Sequence, residues 1–377
     1  MLNTTDSHAR FPVTRNRIFF DHARVAPLPQ CVRDAIHEFT QDACEHGNAH
    51  YLDWMAGVAQ TRNRFAKLIN ARLDEVAFVK NTSEGISIVA NGLDWKPGDN
   101  VVIPDIEFPA NVYPWQNLKR HGVETRFVRA VEGRVLFDDI VAQTDSRTRI
   151  ISISSVECNS GFRNDLHRIG MFCKESGILF CVDAIQSLGI LPMDVKRDGI
   201  DFLSADGHKW LLGLEGLGGF YISKEALERV YPVTVGWGSV VDSQNFMHYD
   251  FTFRPDAQRF EEGSANTLSI HALGAALELF EQEGIERIEK RIMELGDIAI
   301  RHLQKRDIKI ASSTIPEERS GIISFVPDVD LNPLLKFMMS HSVSMTARDG
   351  LARISPHFYN SEDEIDHFFD LLDRFKA

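Results

Sequence analysis

An aspartate and a lysine, Asp183 and Lys209, stand 26 residues apart, each close behind an apolar run. The runs are GILFCV and DFLSA, and both read as fully buried parallel strands. In doubly wound sheets ligands gather at the carboxyl ends of strands, so two such residues joined by a crossover can converge on one small molecule. Pyridoxal 5'-phosphate (PLP) asks for this pair. A lysine amine holds its aldehyde as a Schiff base, and a carboxylate keeps its pyridine nitrogen protonated so that the ring can absorb electrons. Taken singly, the aspartate reads as a loop cap and the lysine as surface. A second feature points to phosphate: Thr82 and Ser83 stand just before an apolar helix, where free backbone N–H groups and the helix dipole favour an anion, although both residue types are also ordinary N-caps.

With Gln186 three residues after Asp183 and His208 beside Lys209, the stretch CVDAIQSLGILPMDVKRDGIDFLSADGHKW resembles the fold-type I PLP enzymes. The resemblance is to the aminotransferase class V family, which includes cysteine desulfurases, selenocysteine lyases, isopenicillin N epimerase and kynureninase, and it runs over most of the chain. It implies that Lys209 carries the cofactor, that Asp183 faces the pyridine nitrogen, that Gln186 reaches the phenolic oxygen, and that His208 contacts the phosphate or the region of the aldehyde carbon. Thr82-Ser83-Glu84-Gly85 matches the family's phosphate-binding turn. DIEFPANVYPW matches the stretch whose side chain stacks on the cofactor ring, which makes Phe108 the stacking residue. A phenylalanine can press on the ring but cannot move a proton, so any step assisted by histidine there is absent or supplied otherwise. An asparagine that helps hold the ring oxygen is expected near SSVECNSGFRNDL, with Asn159 the nearest candidate and Glu157 and Cys158 as rivals. RFEEGSANTLSIHAL resembles a segment that reaches the neighbouring subunit's phosphate site in a dimer, implicating Ser264, Asn266 and Thr267. Arg353, in LARISPHFYNSEDEID, matches the arginine that takes the substrate α-carboxylate, a task suited to a planar bidentate donor.

Lys209 is then the general base at the α-carbon of an amino acid oriented by Arg353. Transamination, epimerisation and β-elimination all start there. One departure narrows the choice. Desulfurases of the family carry a nucleophilic cysteine in a loop after an Arg-x-Gly segment, whereas here Arg348-Asp349-Gly350 runs straight into LARISP and the last cysteine is Cys181. The leading expectation is class V transamination or β-lyase chemistry. A cysteine desulfurase or selenocysteine lyase, or an epimerase, is the alternative, and a non-catalytic binding protein on the same fold is disfavoured by the retained Lys209, Asp183, Gln186 and Arg353.

The elements that must position these residues alternate between strand and helix, as an α/β fold requires. MAGVAQTRNRFAKLIN has helical spacing, EVAFVK, VVIPD, TRFVR and RIISISSV read as strands, and residues 269–306 read as one long helical stretch. GIISFV and LARISP suggest a small sheet, and SEDEIDHFFDLLDRF opens with a capping box at Ser361 and Glu364. The expected architecture is a large PLP-binding domain with a mostly parallel sheet over 17–268 and a smaller C-terminal α/β domain over 269–377, with segment 1–16 packing on the latter. The 377 residues, 44% hydrophobic and 25% charged, can bury a sizeable core, and a net charge of −13 argues against nucleic acid or an anionic membrane as partner. No run reaches the length of a membrane span, and the N-terminus lacks the apolar core of a signal peptide. Five cysteines without CxxC spacing suggest neither a disulfide framework nor a metal site. A cytoplasmic homodimer acting on a small-molecule amino-acid substrate is expected.

Overall fold

The computed structural model describes residues 8–376. A short strand, β1 (Ile18–Phe19), precedes the seven strands of a central sheet: β2 (Val76–Val79), β3 (Asn100–Pro104), β4 (Glu124–Val128), β5 (Thr148–Ser154), β6 (Leu179–Asp183), β7 (Phe202–Asp206) and β8 (Gly218–Ile222). Their order is β2-β8-β7-β6-β5-β3-β4, parallel throughout except for β8, which runs antiparallel to both β2 and β7. Every residue of β3, β6 and β7 is buried, which is why these strands read as continuous apolar runs rather than as alternating ones. At the edge, β4 is half exposed and its sequence is correspondingly mixed.

Helices α1 (Gln30–His46) and α2 (Tyr51–Leu68) precede the sheet, and α3 (Thr82–Gly92) and α4 (Leu166–Ser176) are crossovers within it. Asp165 caps α4 by accepting the Arg168 N–H at 3.0 Å, and Gly177 in the left-handed region ends it. The long helical stretch expected over 269–306 is two helices, α5 (Thr267–Glu283) and α6 (Ile285–Lys305). Gly284, at φ +79°, closes the first with its N–H on the Phe280 carbonyl and turns the chain into the second.

The C-terminal part folds around its own apolar cluster, with Leu295, Leu303, Phe325, Ile354 and Phe368 at its centre. Its sheet has the order β12-β13-β10-β9, built from β9 (Lys309–Ile310), β10 (Ile323–Val326), β12 (Thr346–Arg348) and β13 (Leu351–Ile354), all antiparallel. Strand β11 (Val343–Ser344) pairs in parallel with β1, tying the N-terminal chain to this part. Helices α7 (Leu331–Ser340) and α8 (Glu362–Lys376) cover it. The capping box forms as read: the Ser361 hydroxyl accepts the Glu364 N–H, and the Glu364 carboxylate accepts the Ser361 N–H.

Two buried histidines lock the junction behind Trp210. A carbonyl can only accept, so His22 carries its proton on Nδ1, 2.8 Å from the Ser355 oxygen, and its Nε2 accepts from the Tyr359 hydroxyl at 2.8 Å. His357 accepts the Phe358 N–H at Nδ1 and donates from Nε2 to the Trp210 carbonyl. Both rings are therefore neutral. Burial holds His357 down to about 3 and His22 well below the ordinary histidine range. An unfolded histidine takes up its proton near pH 6.5, so the stability drawn from these neutral rings is complete above that pH and is lost as pH falls toward 3. The urea midpoint is expected to drop more steeply between pH 7 and pH 4 in the native chain than in His357→Phe. Parallel slopes would show that the ring does not titrate on unfolding.

Candidate functional site

Lys209 and Asp183 leave adjacent strands at the same end of the sheet. Asp183 is the last residue of β6, paired with Ser154 on one side and Ser204 on the other. Lys209 lies three residues past β7 in a tight loop. That loop is closed by the Gly213 N–H on the Gly207 carbonyl at 2.8 Å and the Leu212 N–H on the Lys209 carbonyl at 3.0 Å. Leu212 is fully buried with φ +57°, a conformation that costs about 1 kcal/mol or more for a non-glycine residue and survives only where packing imposes it. Trp210 supplies that packing: its indole donates to Gln186 Oε1 at 2.9 Å, and Gly189 lets the neighbouring turn approach, since a Cβ there would stand 2.3 Å from the Trp210 carbonyl oxygen.

The Lys209 amine lies 5.5 Å from the centroid of the Phe108 ring. Burial lowers its pKa from the ordinary lysine range, against the pull of Asp183. Burial likewise pushes Asp183 up to about 6, opposed by the Ile185 N–H, which donates to Oδ1 at 2.9 Å, and by Lys209. Among the described residues Oδ2 accepts no hydrogen bond, which leaves it available to a ligand.

Two further acids lie beside Asp183, and neither was expected at that position with that role. Glu107 accepts the Ser154 N–H at 2.5 Å and the Ser154 hydroxyl at 2.6 Å, and burial, augmented by the charge of Asp183, pushes it up to about 8. Glu157 is fully buried, holds Asn164 at 2.8 Å and has no partner for Oε2. Burial first and Glu107 second raise it well above the carboxylate range. Burial thus disfavours charge on both, which leaves Asp183 the least raised of the three acids at this point of the sheet. An acid between Ile106 and Phe108 carries no spacing signal, and only its adjacency to the proposed stacking residue hinted at it.

At the expected phosphate-binding turn the structure makes one correction. Helix α3 begins at Thr82, so neither Thr82 nor Ser83 is its N-cap. That role belongs to Asn81, whose side chain accepts the Glu84 N–H at 3.0 Å. The N–H groups of Thr82 and Ser83 are thereby left free at the positive end of an 11-residue helix. The Thr82 hydroxyl accepts the Asp206 N–H at 3.0 Å, which fastens this helix end to the strand that leads to Lys209. Gly85 permits the close approach, because a Cβ there would meet Ser204 Oγ at 2.2 Å.

Other expected residues are placed with mixed outcome. Gln186 is buried and donates to the Ala23 carbonyl at 3.1 Å while accepting from Trp210, leaving one amide proton for a ligand. His208 Nδ1 lies 2.9 Å from Asp206 Oδ1 but out of line for a hydrogen bond. Asn159 turns away from Asp183 and Gln186 and donates to Asp349 at 2.7 Å. Ser155, just past β5, is instead the polar residue against the Asp183 backbone, at 3.1 Å. Ser264 and Thr267 stand at the start of α5, outside the cleft that holds Lys209.

That cleft, about 410 Å³, is lined by Ala23, Arg24, Phe108, His208, Lys209, Thr346, Ala347, Arg348 and Arg353. Clefts of about 630 and 660 Å³ elsewhere contain none of these residues. Arg353, on β13, is buried: Nη1 donates to the Cys158 carbonyl at 2.6 Å, Nη2 stands 3.7 Å from Asp21, and Nε has no partner. A buried guanidinium with an unused N–H calls for an anion. These residues fit PLP. The amine, the open carboxylate oxygen, the free helix N–H groups and the ring of Phe108 each match one part of it, and the size suits a small-molecule site.

The family described as aminotransferase class-V matches residues 18–368. A probable cysteine desulfurase of Methanothermobacter thermautotrophicus is 31% identical, over 97% of this chain and 96% of its own length. Among solved structures, an apo cysteine desulfurase from Thermococcus onnurineus NA1 is 25% identical with a TM-score of 0.91, covering 100% of this chain and 98% of that one. A variant of C-DES with glycine covalently linked to its PLP cofactor is 25% identical with a TM-score of 0.90, over 97% of this chain and 99% of that one. With this match and this geometry, the chain belongs to the class V aminotransferase family and is a PLP-dependent enzyme.

Proposed function

We propose that the protein works at the α-carbon of an amino acid, in a transamination or β-lyase reaction that needs no cysteine relay. The observation that carries this reading is the turn between β12 and β13. Arg348 pairs directly with Leu351, and the two residues between them, Asp349 at φ +50° and Gly350 at φ +79°, make the tightest hairpin available. No loop leaves the sheet there to bring a nucleophile over the cleft, and no cysteine follows Cys181.

PLP, when bound, supplies the electron sink. Lys209 holds it and, once displaced, takes the α-proton; its lowered pKa makes the free amine accessible. Asp183 would face the pyridine nitrogen, Thr82 and Ser83 would take the phosphate, Phe108 would cover the ring, Gln186 would offer its remaining amide proton to the phenolic oxygen, and His208 would flank Lys209. Arg353 grips the α-carboxylate with the N–H groups its protein partners leave unused. Arg353→Ala is expected to weaken amino-acid affinity tenfold to hundredfold, the value of a charge-assisted pair of about 1.5–3 kcal/mol. Spectral titration of the holoenzyme with amino acid measures this, and unchanged affinity would remove Arg353 from the site.

The relatives named cysteine desulfurases support a second reading, and Cys158 is the thiol that serves it best, 3.8 Å from Arg348. Burial raises its pKa, which disfavours the reactive thiolate. Turnover with cysteine followed by cyanide treatment separates the readings. Products formed without a trapped protein persulfide support the first, and a persulfide lost together with activity in Cys158→Ala establishes the second.

A homodimer belongs to the same proposal. Ser264 and Thr267 lie outside their own cleft, and Phe246, Met247, Tyr249 and Phe251 form an exposed apolar stretch that a partner would cover. Sedimentation at micromolar concentration is expected to show two chains, and a fully active monomer would defeat it. We assign 17–268 to the cofactor domain and 269–377 to the small domain. Phe11, stacked on Tyr359 at 3.8 Å, and Arg10, bonded to Gln282, support packing of the N-terminal segment on the latter, residues 1–7 lying outside the described part. The five free thiols suit the cytoplasm, and no helix among the described residues is long and apolar enough to cross a membrane.

A further inference from the structure

The cleft around Lys209 holds more positive charge than a neutral amino acid can use. Arg24, Lys209, Arg348 and Arg353 line it, and no carboxylate does, in a chain whose net charge is −13. Lys209 is committed to the cofactor and Arg353 to the α-carboxylate on the reading above, on which this inference rests. The cofactor phosphate is assigned to the start of α3. Arg24 and Arg348 remain, and among the described residues neither forms an ion pair. Asp21 stands under Arg353, at 3.7 Å, and Asp349, next in sequence to Arg348, is drawn away by Asn159 at 2.7 Å. The Arg348 guanidinium lies 5.2 Å and the Lys209 amine 5.5 Å from the centroid of the Phe108 ring, so both cations pack against one side chain of the cleft. Among the described residues the one side-chain hydrogen bond of Arg348 goes to the Cys158 thiol at 3.8 Å. Asp21, whose carboxyl interacts with Arg353, Arg24 and Lys209, offsets one of these four charges at most, so like charges still crowd the cleft and an anion brought between them relieves that cost.

We propose that Arg24 and Arg348 form a second anion subsite, and that the substrate is an amino acid whose side chain is itself anionic, in the simplest case a carboxylate. Arg353 takes the α-carboxylate, and the side-chain carboxylate falls between Arg348 and Arg24, where a guanidinium offers two parallel donors.

Succinate, which has two carboxylates and no amine to react, and butyrate, which has one, are the binding probes. Titration calorimetry on the holoenzyme is expected to show succinate binding at least tenfold tighter than butyrate. Arg348→Gln and Arg24→Gln should shrink that ratio, whereas Arg353→Gln should weaken both ligands. Equal affinity for the two acids, or a ratio untouched by both substitutions, overturns the subsite. In parallel, α-proton exchange is followed with aspartate, glutamate, alanine and cysteine. A kcat/KM at least tenfold higher for an acidic amino acid supports the proposal. Exchange on alanine or cysteine as fast as on either acidic amino acid defeats this inference while leaving the α-carbon reading intact, and exchange on none of the four defeats both.

Discussion

Lys209→Ala is expected to abolish the borohydride-fixable link between protein and cofactor and to lower α-proton exchange by three orders of magnitude or more. The site gives no second amine to replace it: the other cations of the cleft are Arg24, Arg348 and Arg353, and a guanidinium stays protonated in proteins. A positioned general base contributes roughly 10²–10⁴-fold, and the loss of covalent capture adds to this. The variant should still fold, because the loop around residue 209 is held by backbone bonds from Leu212 and Gly213 and by the burial of Trp210, none of which uses the amine. Peptide mass spectrometry after reduction shows where the cofactor sits. The same reducible linkage in the alanine variant would disprove the assignment.

Asp183→Asn should have the next largest effect, and a different signature. It keeps the volume of a side chain that is 2% exposed but removes the charge proposed to face the pyridine nitrogen. A charge-assisted hydrogen bond of about 1.5–3 kcal/mol lost from carbanion stabilisation lowers α-proton exchange tenfold to hundredfold, while cofactor capture by Lys209 and the helix end falls less. The pH dependence carries the sign. Burial raises Asp183 to about 6 before the cofactor is seated, and a protonated pyridine nitrogen beside it favours the ionised, useful form, so the rate falls as pH drops below that value. Burial raises Glu107 and Glu157 as well, which disfavours a competing charge beside Asp183. The asparagine variant should lose this acid limb. If exchange in the variant keeps both its rate and its limb, Asp183 does not face the cofactor nitrogen.

Much of this site was legible in the chain because its chemistry sits where local pattern is strongest. Lys209 and Asp183 follow buried strands, whose apolar runs announce them, and Thr82-Ser83-Glu84-Gly85 opens a helix. Local pattern cannot choose where three residue types suit one task. Asn81, Thr82 and Ser83 are all fair caps, and the hydrogen bond from Glu84 decides for Asn81. Nor does local pattern show that Asn159, one of three candidates for the ring oxygen, is engaged by Asp349.

By itself, the sequence determined the alternation of strands and helices, the pair of residues able to hold PLP, the anion-binding helix end, and the absence of any cysteine after position 181. These depend on periodicity and on residue type, which a linear chain displays. Tertiary structure alone decided that Glu107 stands beside Asp183, since that follows from β5 lying next to β6. It also decided that Gln186 spends one amide proton on Ala23, and that Arg24 and Arg348, far apart in the chain, meet over the same cleft. The physical reason is common to all three. Burial, desolvation and charge balance are set by which strands and turns become neighbours, and the spacing of residues along the chain does not encode that adjacency.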